Sequence, residues 1–223
     1  MRQPADLYDV FITDLDQGTC WRKKLLSVNV RLKHQIRFIV EIDRLKQVLR
    51  QTFLTNNSRQ ENSAEHSWHI SLMAIILSEY AEIPQIDVLK VIKMLLIHDL
   101  VEIDAGDTFC YDEVAREDQP TRELEAARRI FNLLPTDQAQ QLMSLWEEFE
   151  ECQTLNSRFA NALDRLQPLL SNYYTGGKAW KKHGVKKDQV LARNRWIEKG
   201  APKLWRYALG LIEDCAKQGM LEQ

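Results

Sequence analysis

Residues 87–107 read DVLKVIKMLLIHDLVEIDAGD. Leu89, Ile92, Leu95 and Leu96 recur at three and four residues, the period of an α-helix, in the most apolar run of the chain. The run predicts a buried helix that starts near Asp87 and ends near Gly106. At its far end stand His98 and Asp99, with Glu102 four residues beyond the histidine. Neighbouring side chains on a helix diverge by about 100°, so His98 and Asp99 reach one common centre only if other helices complete its shell. The stretch therefore predicts helices gathered around one polar end.

Toward the N-terminus, Val28, Leu32, Ile36, Ile39, Val40, Ile42, Leu45, Val48 and Leu49 keep the helical period and predict one long helix to about Gln51. Asn56-Asn57-Ser58 breaks it, and Ser63 stands where an N-cap would open a second helix, Ala64 to about Tyr80. Toward the C-terminus, a charged, exposed connection runs from Asp107 to Pro120. Helices are expected over 121–134, 136–151 and 155–173, then over about 187–198 and from Pro202 to about Lys217. The basic stretch Lys178 to Lys187 reads as a solvated loop. No alternating strand run of useful length appears, so the expected fold is all-α: a compact helical bundle over 28–223, with residues 1–27 as an N-terminal extension.

Composition agrees. Glycine (8) and proline (6) in 223 residues fall well below average usage, which argues against turn-rich β architectures. A net charge of −2 gives no general drive toward nucleic acid or anionic membrane, and neither is an expected partner. The four cysteines form no C-x-x-C pair and read as reduced thiols. Asp6, Asp9, Asp14 and Asp16 occupy the place where a signal peptide would need a basic start and an apolar run, so a cytoplasmic location is expected. Leu142, Leu145, Trp146 and Phe149, and later Trp196, Trp205 and Tyr207, lie at helical spacings that fit a core or a homodimer interface.

Candidate partners for His98 and Asp99 are His66, in the first turn of the second helix, and Asp164 on a late helix. Two imidazoles and two carboxylates suit one divalent transition ion (Mn, Co, Ni, Fe or Zn) and lack the thiolates of a structural zinc site. His34, His69, His183 and Asp104 have no spacing that joins them to this set.

The segments Glu61-Asn62-Ser63-Ala64-Glu65-His66-Ser67 and His98-Asp99-Leu100-Val101-Glu102-Ile103-Asp104-Ala105-Gly106-Asp107, followed by Asp164, resemble the HD-domain metal-dependent phosphohydrolases. Within them the chain is similar to the small bacterial 5′-deoxynucleotidases, over roughly residues 35–170. The resemblance implies an ion held by His66, His98, Asp99 and Asp164, and a phosphomonoester bound at it. It also implies that Glu102 assists proton transfer and that Asp107, turned out of the helix by Gly106, contacts substrate or supports catalysis, with a bearing on deoxy selectivity through the sugar. Of Arg44, Lys46 and Arg50, Arg50 matches the family's phosphate-binding arginine, and a guanidinium suits two phosphate oxygens at once. Gln51 stands where an aromatic residue would stack near the base, with Phe53 two further on. The implied activity is phosphate removal from nucleoside monophosphates, 2′-deoxyribonucleoside 5′-monophosphates first. Hydrolysis of a diphosphate or cyclic diester at the same centre, or a non-catalytic nucleotide-binding module, are the alternatives.

Overall fold

The computed structural model describes residues 30–222; the expected N-terminal extension, residues 1–27, lies outside the described residues. The decisive run forms α3 (Val88–Ile97), opened by Asp87, whose side chain accepts from the Lys90 amide at 3.0 Å. It does not continue unbroken to Gly106. The chain tightens into a 3₁₀ turn over His98–Val101 and resumes as a single turn, α4 (Glu102–Ala105). Gly106 ends it at φ 75°, ψ 153°, a conformation essentially confined to glycine, and Asp107 leaves the helix axis there.

Before α3 lie α1 (Val30–Ile42) and a 3₁₀ turn, Asp43–Gln47. Two short antiparallel strands follow, β1 (Leu49–Phe53) and β2 (Gln60–Asn62), with Leu49 opposite Asn62 and Phe53 opposite Gln60. The expected long helix to Gln51 is therefore overturned: it stops at Ile42, and Arg50 and Gln51 belong to a strand. Leu45, Val48 and Leu49 do keep the helical spacing, but main-chain pairing with a segment ten residues on decides the backbone. Asn62 caps α2 (Ser63–Leu77) in place of Ser63, through a capping box in which its side chain accepts from the Glu65 amide.

After α4 come α5 (Gln119–Phe131), α6 (Thr136–Glu151) and α7 (Leu155–Tyr174). Helices α8 (Lys178–His183), α9 (Lys187–Asn194), α10 (Ile197–Gly200) and α11 (Pro202–Lys217) complete the described chain. The basic stretch is thus no solvated loop throughout: Lys178–His183 is helical and buries Trp180. The fold is all-α apart from the small hairpin.

The buried side chains form two clusters. One joins α2, α3, α7 and the C-terminal helices through Ile70, Met94, Leu95, Phe159, Leu163 and Ile212. The other joins α1, α4, α5 and α6 through Phe38, Ile97, Leu100, Ile130, Phe131 and Trp146. Leu95 belongs to the first and Ile97 to the second, so His98 and Asp99 stand where the chain passes between them. Among the described residues no helix is long and apolar enough to cross a membrane.

Helix α10 lies hard against α7. A Cβ built on Gly200 would sit 2.1 Å from the carbonyl oxygen of Arg158, a backbone atom that cannot rotate away. Gly200→Ala is expected to destabilise by at least about 2 kcal/mol through overpacking, lowering Tm by roughly 4–8 °C in a thermal melt. An unchanged Tm would show that the two helices part at no cost.

Candidate metal centre

Three elements bring the donors together: α2 supplies His66, the 3₁₀ turn after α3 supplies His98 and Asp99, and α7 supplies Asp164. One ligand atom each from His66, His98 and Asp164 lies within 4.8 Å of the others. His66 Nε2 is 3.1 Å, and His98 Nε2 3.6 Å, from Asp164 Oδ1. Asp99 is not in that triplet. It adjoins through Oδ1, 3.0 Å from His98 Nε2, while Oδ2 accepts from Arg50 Nη1 at 2.9 Å.

The tautomers follow from what each ring touches. His98 Nδ1 is 2.9 Å from the Leu95 carbonyl, which can only accept, so this nitrogen carries the proton. Nε2 is then the nitrogen left to take a cation or a second proton; it is fully buried without a hydrogen-bond partner and faces carboxylates. His66 Nδ1 donates to Gln167 Oε1 at 3.0 Å, and Gln167 is fixed because its amide nitrogen donates to Glu61 Oε1 at 2.8 Å. His66 Nε2 is thereby turned on Asp164. Two imidazole lone pairs converging on carboxylates are mutually repulsive until a cation stands among them, and this donor set fits a divalent ion. A proton can stand in for that cation: burial opposes charge on His98, yet Asp99 and Asp164 outweigh it and raise its pKa to about 9. Burial likewise opposes ionisation of Asp164, but His66 and His98 beside it hold it well below the usual carboxylate range.

A cavity of about 510 Å³ opens over this centre, lined by His98, Asp99 and Asp164 together with Arg50, Glu102 and Asp107. Arg50 reaches Asp107 Oδ1 at 3.8 Å as well as Asp99. Burial works against its charge, and Asp99, Glu102, Asp107 and Asp164 more than compensate, so the guanidinium is permanently ionised. Glu102 is buried and accepts from Ser63 Oγ at 2.6 Å. Burial, then the charge of Asp99, pushes its carboxyl well above the usual range despite Arg50. Asp107 is raised by burial too, with Arg50 pulling the other way.

Other residues weighed in the sequence stand apart from the triplet. Asp104 pairs with Arg129 on the outer face, Arg44 with Glu41, and Lys46 with Asp43. His69 approaches only Gln167, at 3.4 Å. Gln51 does line the cavity, its Oε1 accepting from His183 Nε2 at 3.0 Å. The aromatic ring beside it in the cavity wall is Phe109, stacked on His183 at 4.4 Å, whereas Phe53 lies under Lys178. Sequence reading gave no role to Gln167 or the Leu95 carbonyl, each one residue on a helix with no local pattern, and took Ser63 for an N-cap, where it instead donates to Glu102. Glu61 lay inside a quoted motif and could have been singled out from it.

A buried two-histidine and carboxylate centre on an all-α scaffold defines a class of metal-binding helical domains. The HD domain family matches residues 42–205, and the chain belongs to that family. It is 51% identical to a solved structure described as a predicted metal-dependent phosphohydrolase from Magnetospirillum magnetotacticum MS-1. That similarity covers 86% of this chain and 96% of the other, with a TM-score of 0.83. Among curated proteins it is 28% identical over 136 residues to the human "5'-deoxynucleotidase HDDC2" and 29% to the mouse protein of that name. Those matches cover 60% of this chain in both cases, and 65% and 66% of the relatives, just under two thirds of their length.

Proposed function

We infer that the protein is a metal-dependent phosphohydrolase that removes phosphate from nucleoside monophosphates, with 2′-deoxyribonucleoside 5′-monophosphates as preferred substrates. The observation that carries this reading is the buried, unpartnered Nε2 of His98 facing Asp164 and Asp99, with Arg50 beside it in the same cavity. The names of the curated relatives support the same chemistry.

His66, His98 and Asp164, with Asp99 adjoining, would hold the ion. When bound, it supplies Lewis acidity toward phosphoryl oxygens and a water acidic enough to react near neutral pH. Nitrogen and oxygen donors of this kind accept Mn, Co, Ni, Fe or Zn, and the choice follows availability as much as affinity. The chain's own residues do the rest. Arg50 has a buried Nε with no hydrogen-bond partner, a donor suited to a phosphate oxygen. Glu102, held protonated more readily than an exposed carboxylate, can pass a proton to the leaving sugar oxygen, and Ser63 fixes which oxygen faces the cavity. Asp107 can accept from a sugar 3′-hydroxyl, and close packing beside it would exclude a 2′-hydroxyl. A cytoplasmic location and a homodimer complete the proposal; Trp68, Leu72, Ile75 and Ile76 leave an apolar face of α2 exposed for a second copy.

The test is phosphate release from a panel of ribo- and deoxyribonucleoside monophosphates, with metal stripped from the protein and one ion returned at a time. Release from deoxy substrates is expected to exceed that from their ribo counterparts at least tenfold. No release from any monophosphate with any of the five ions would refute the reading.

A further inference from the structure

The cavity over the metal centre extends beyond the groups used above, to Arg165, Arg193, Cys110, Tyr111 and Asn194. Arg165 follows Asp164 on α7 and is held in place. Its Nη1 donates to the Asn161 backbone oxygen at 3.1 Å and to Asn161 Oδ1 at 2.7 Å. Asn161 is itself anchored, donating to the Phe149 carbonyl at 2.8 Å. With Nη1 occupied, the remaining edge of the guanidinium is the Nε–Nη2 fork, and Nε is buried with no partner. That edge matches two oxygens of a phosphate. Arg193, on α9, makes no ion pair or hydrogen bond through its guanidinium among the described residues, and its charge bears on Arg165. The acids that bear on Arg165 are Asp164 and Glu150, and neither is close enough to pair with it.

We propose that Arg165 and Arg193 form a second anion subsite, so that the cavity takes nucleotides carrying a second phosphate in addition to the one at the metal centre. The proposal rests on the nucleotide reading of the site above. The second phosphate could extend the 5′ chain or sit on the sugar 3′ oxygen. Asp107, placed to accept from a 3′-hydroxyl, would repel a 3′-phosphate, so the 5′-diphosphate is the expected occupant.

The test is calorimetric binding to the metal-loaded protein of non-hydrolysable phosphonate analogues of three deoxyadenosine nucleotides, the 5′-monophosphate, the 5′-diphosphate and the 3′,5′-bisphosphate, with chromatography checking that each stays intact. The 5′-diphosphate is expected to bind at least about tenfold more tightly than the monophosphate. Arg193→Gln, and separately Arg165→Lys, which keeps the charge and loses the fork, should each bring that ratio below threefold. Metal content is measured in parallel because Arg165 adjoins Asp164. A gain in the bisphosphate arm that collapses in the same variants also supports the subsite and moves it to the sugar. Equal affinities in all three arms, or a preference that survives both substitutions, would overturn it. Binding is read without turnover, so an inactive protein that shows the ratio refutes the hydrolase reading alone.

Discussion

His98→Ala is expected to lose its bound metal and to release phosphate at least about a hundredfold more slowly than the wild type, while keeping its helical circular dichroism. Loss of a residue that merely orients a ligand typically costs 10- to 100-fold in metal affinity or activity, and His98 is a ligand candidate with nothing standing behind it. His66 and Asp164 would remain, 3.1 Å apart, with Asp99 adjoining, but a single imidazole among carboxylates is a poorer site for a transition ion than two. The fold should survive because His98 sits at the seam of the two apolar clusters and contributes little to either. Its ring contacts Phe149 at 4.8 Å, and truncation leaves a void costing on the order of 2 kcal/mol. Metal stoichiometry by elemental analysis and phosphate release from a deoxynucleoside monophosphate check this together. A variant with full metal content and undiminished rate would remove His98 from the centre.

The helices were legible in the sequence wherever punctuation and period agreed. Pro135 and Pro202 stand at the starts of α6 and α11, whose bounds Thr136–Glu151 and Pro202–Lys217 match the expected ones closely. Reading failed between Asp43 and Asn62, where local spacing favours a helix and pairing across the hairpin wins. It failed again at His98, since no residue type announces a 3₁₀ turn inside an apolar run. Residues of the candidate metal centre could be named because their motifs combine polar types in an order that resembles the HD family's. Gln167 could not: it is one glutamine on the buried side of α7, and its meaning comes from His66, 101 residues away, and from Glu61 beyond. The same holds for Arg165 and Arg193. An arginine's role depends on which acids fail to meet it, and that is a property of the assembled cavity.

Arg50→Lys separates charge from shape. The ammonium keeps a positive charge facing Asp99 and Asp107, so the three neighbouring carboxylates stay balanced and Tm should change little. What disappears is the planar set of donors, including the buried Nε, which makes no hydrogen bond and has the Glu61 carboxylate at 3.9 Å. If Arg50 grips a phosphate oxygen during transfer, kcat/KM should fall by about 10²–10³, the usual loss when one preorganised donor is removed from developing charge. Arg50→Ala should fall further and also lose stability, because Asp99, Glu102 and Asp107 are then left facing one another; Arg50 lowers the pKa of both Glu102 and Asp107 against their burial. Added guanidinium ion should restore part of the rate in Arg50→Ala and none in His98→Ala, since it replaces a donor and not a metal ligand. The contrast between lysine and alanine distinguishes the two uses of the residue. Full activity in Arg50→Lys together with a drop in both Tm and rate in Arg50→Ala would make Arg50 a counter-ion for the acidic wall, with the phosphate held by other groups.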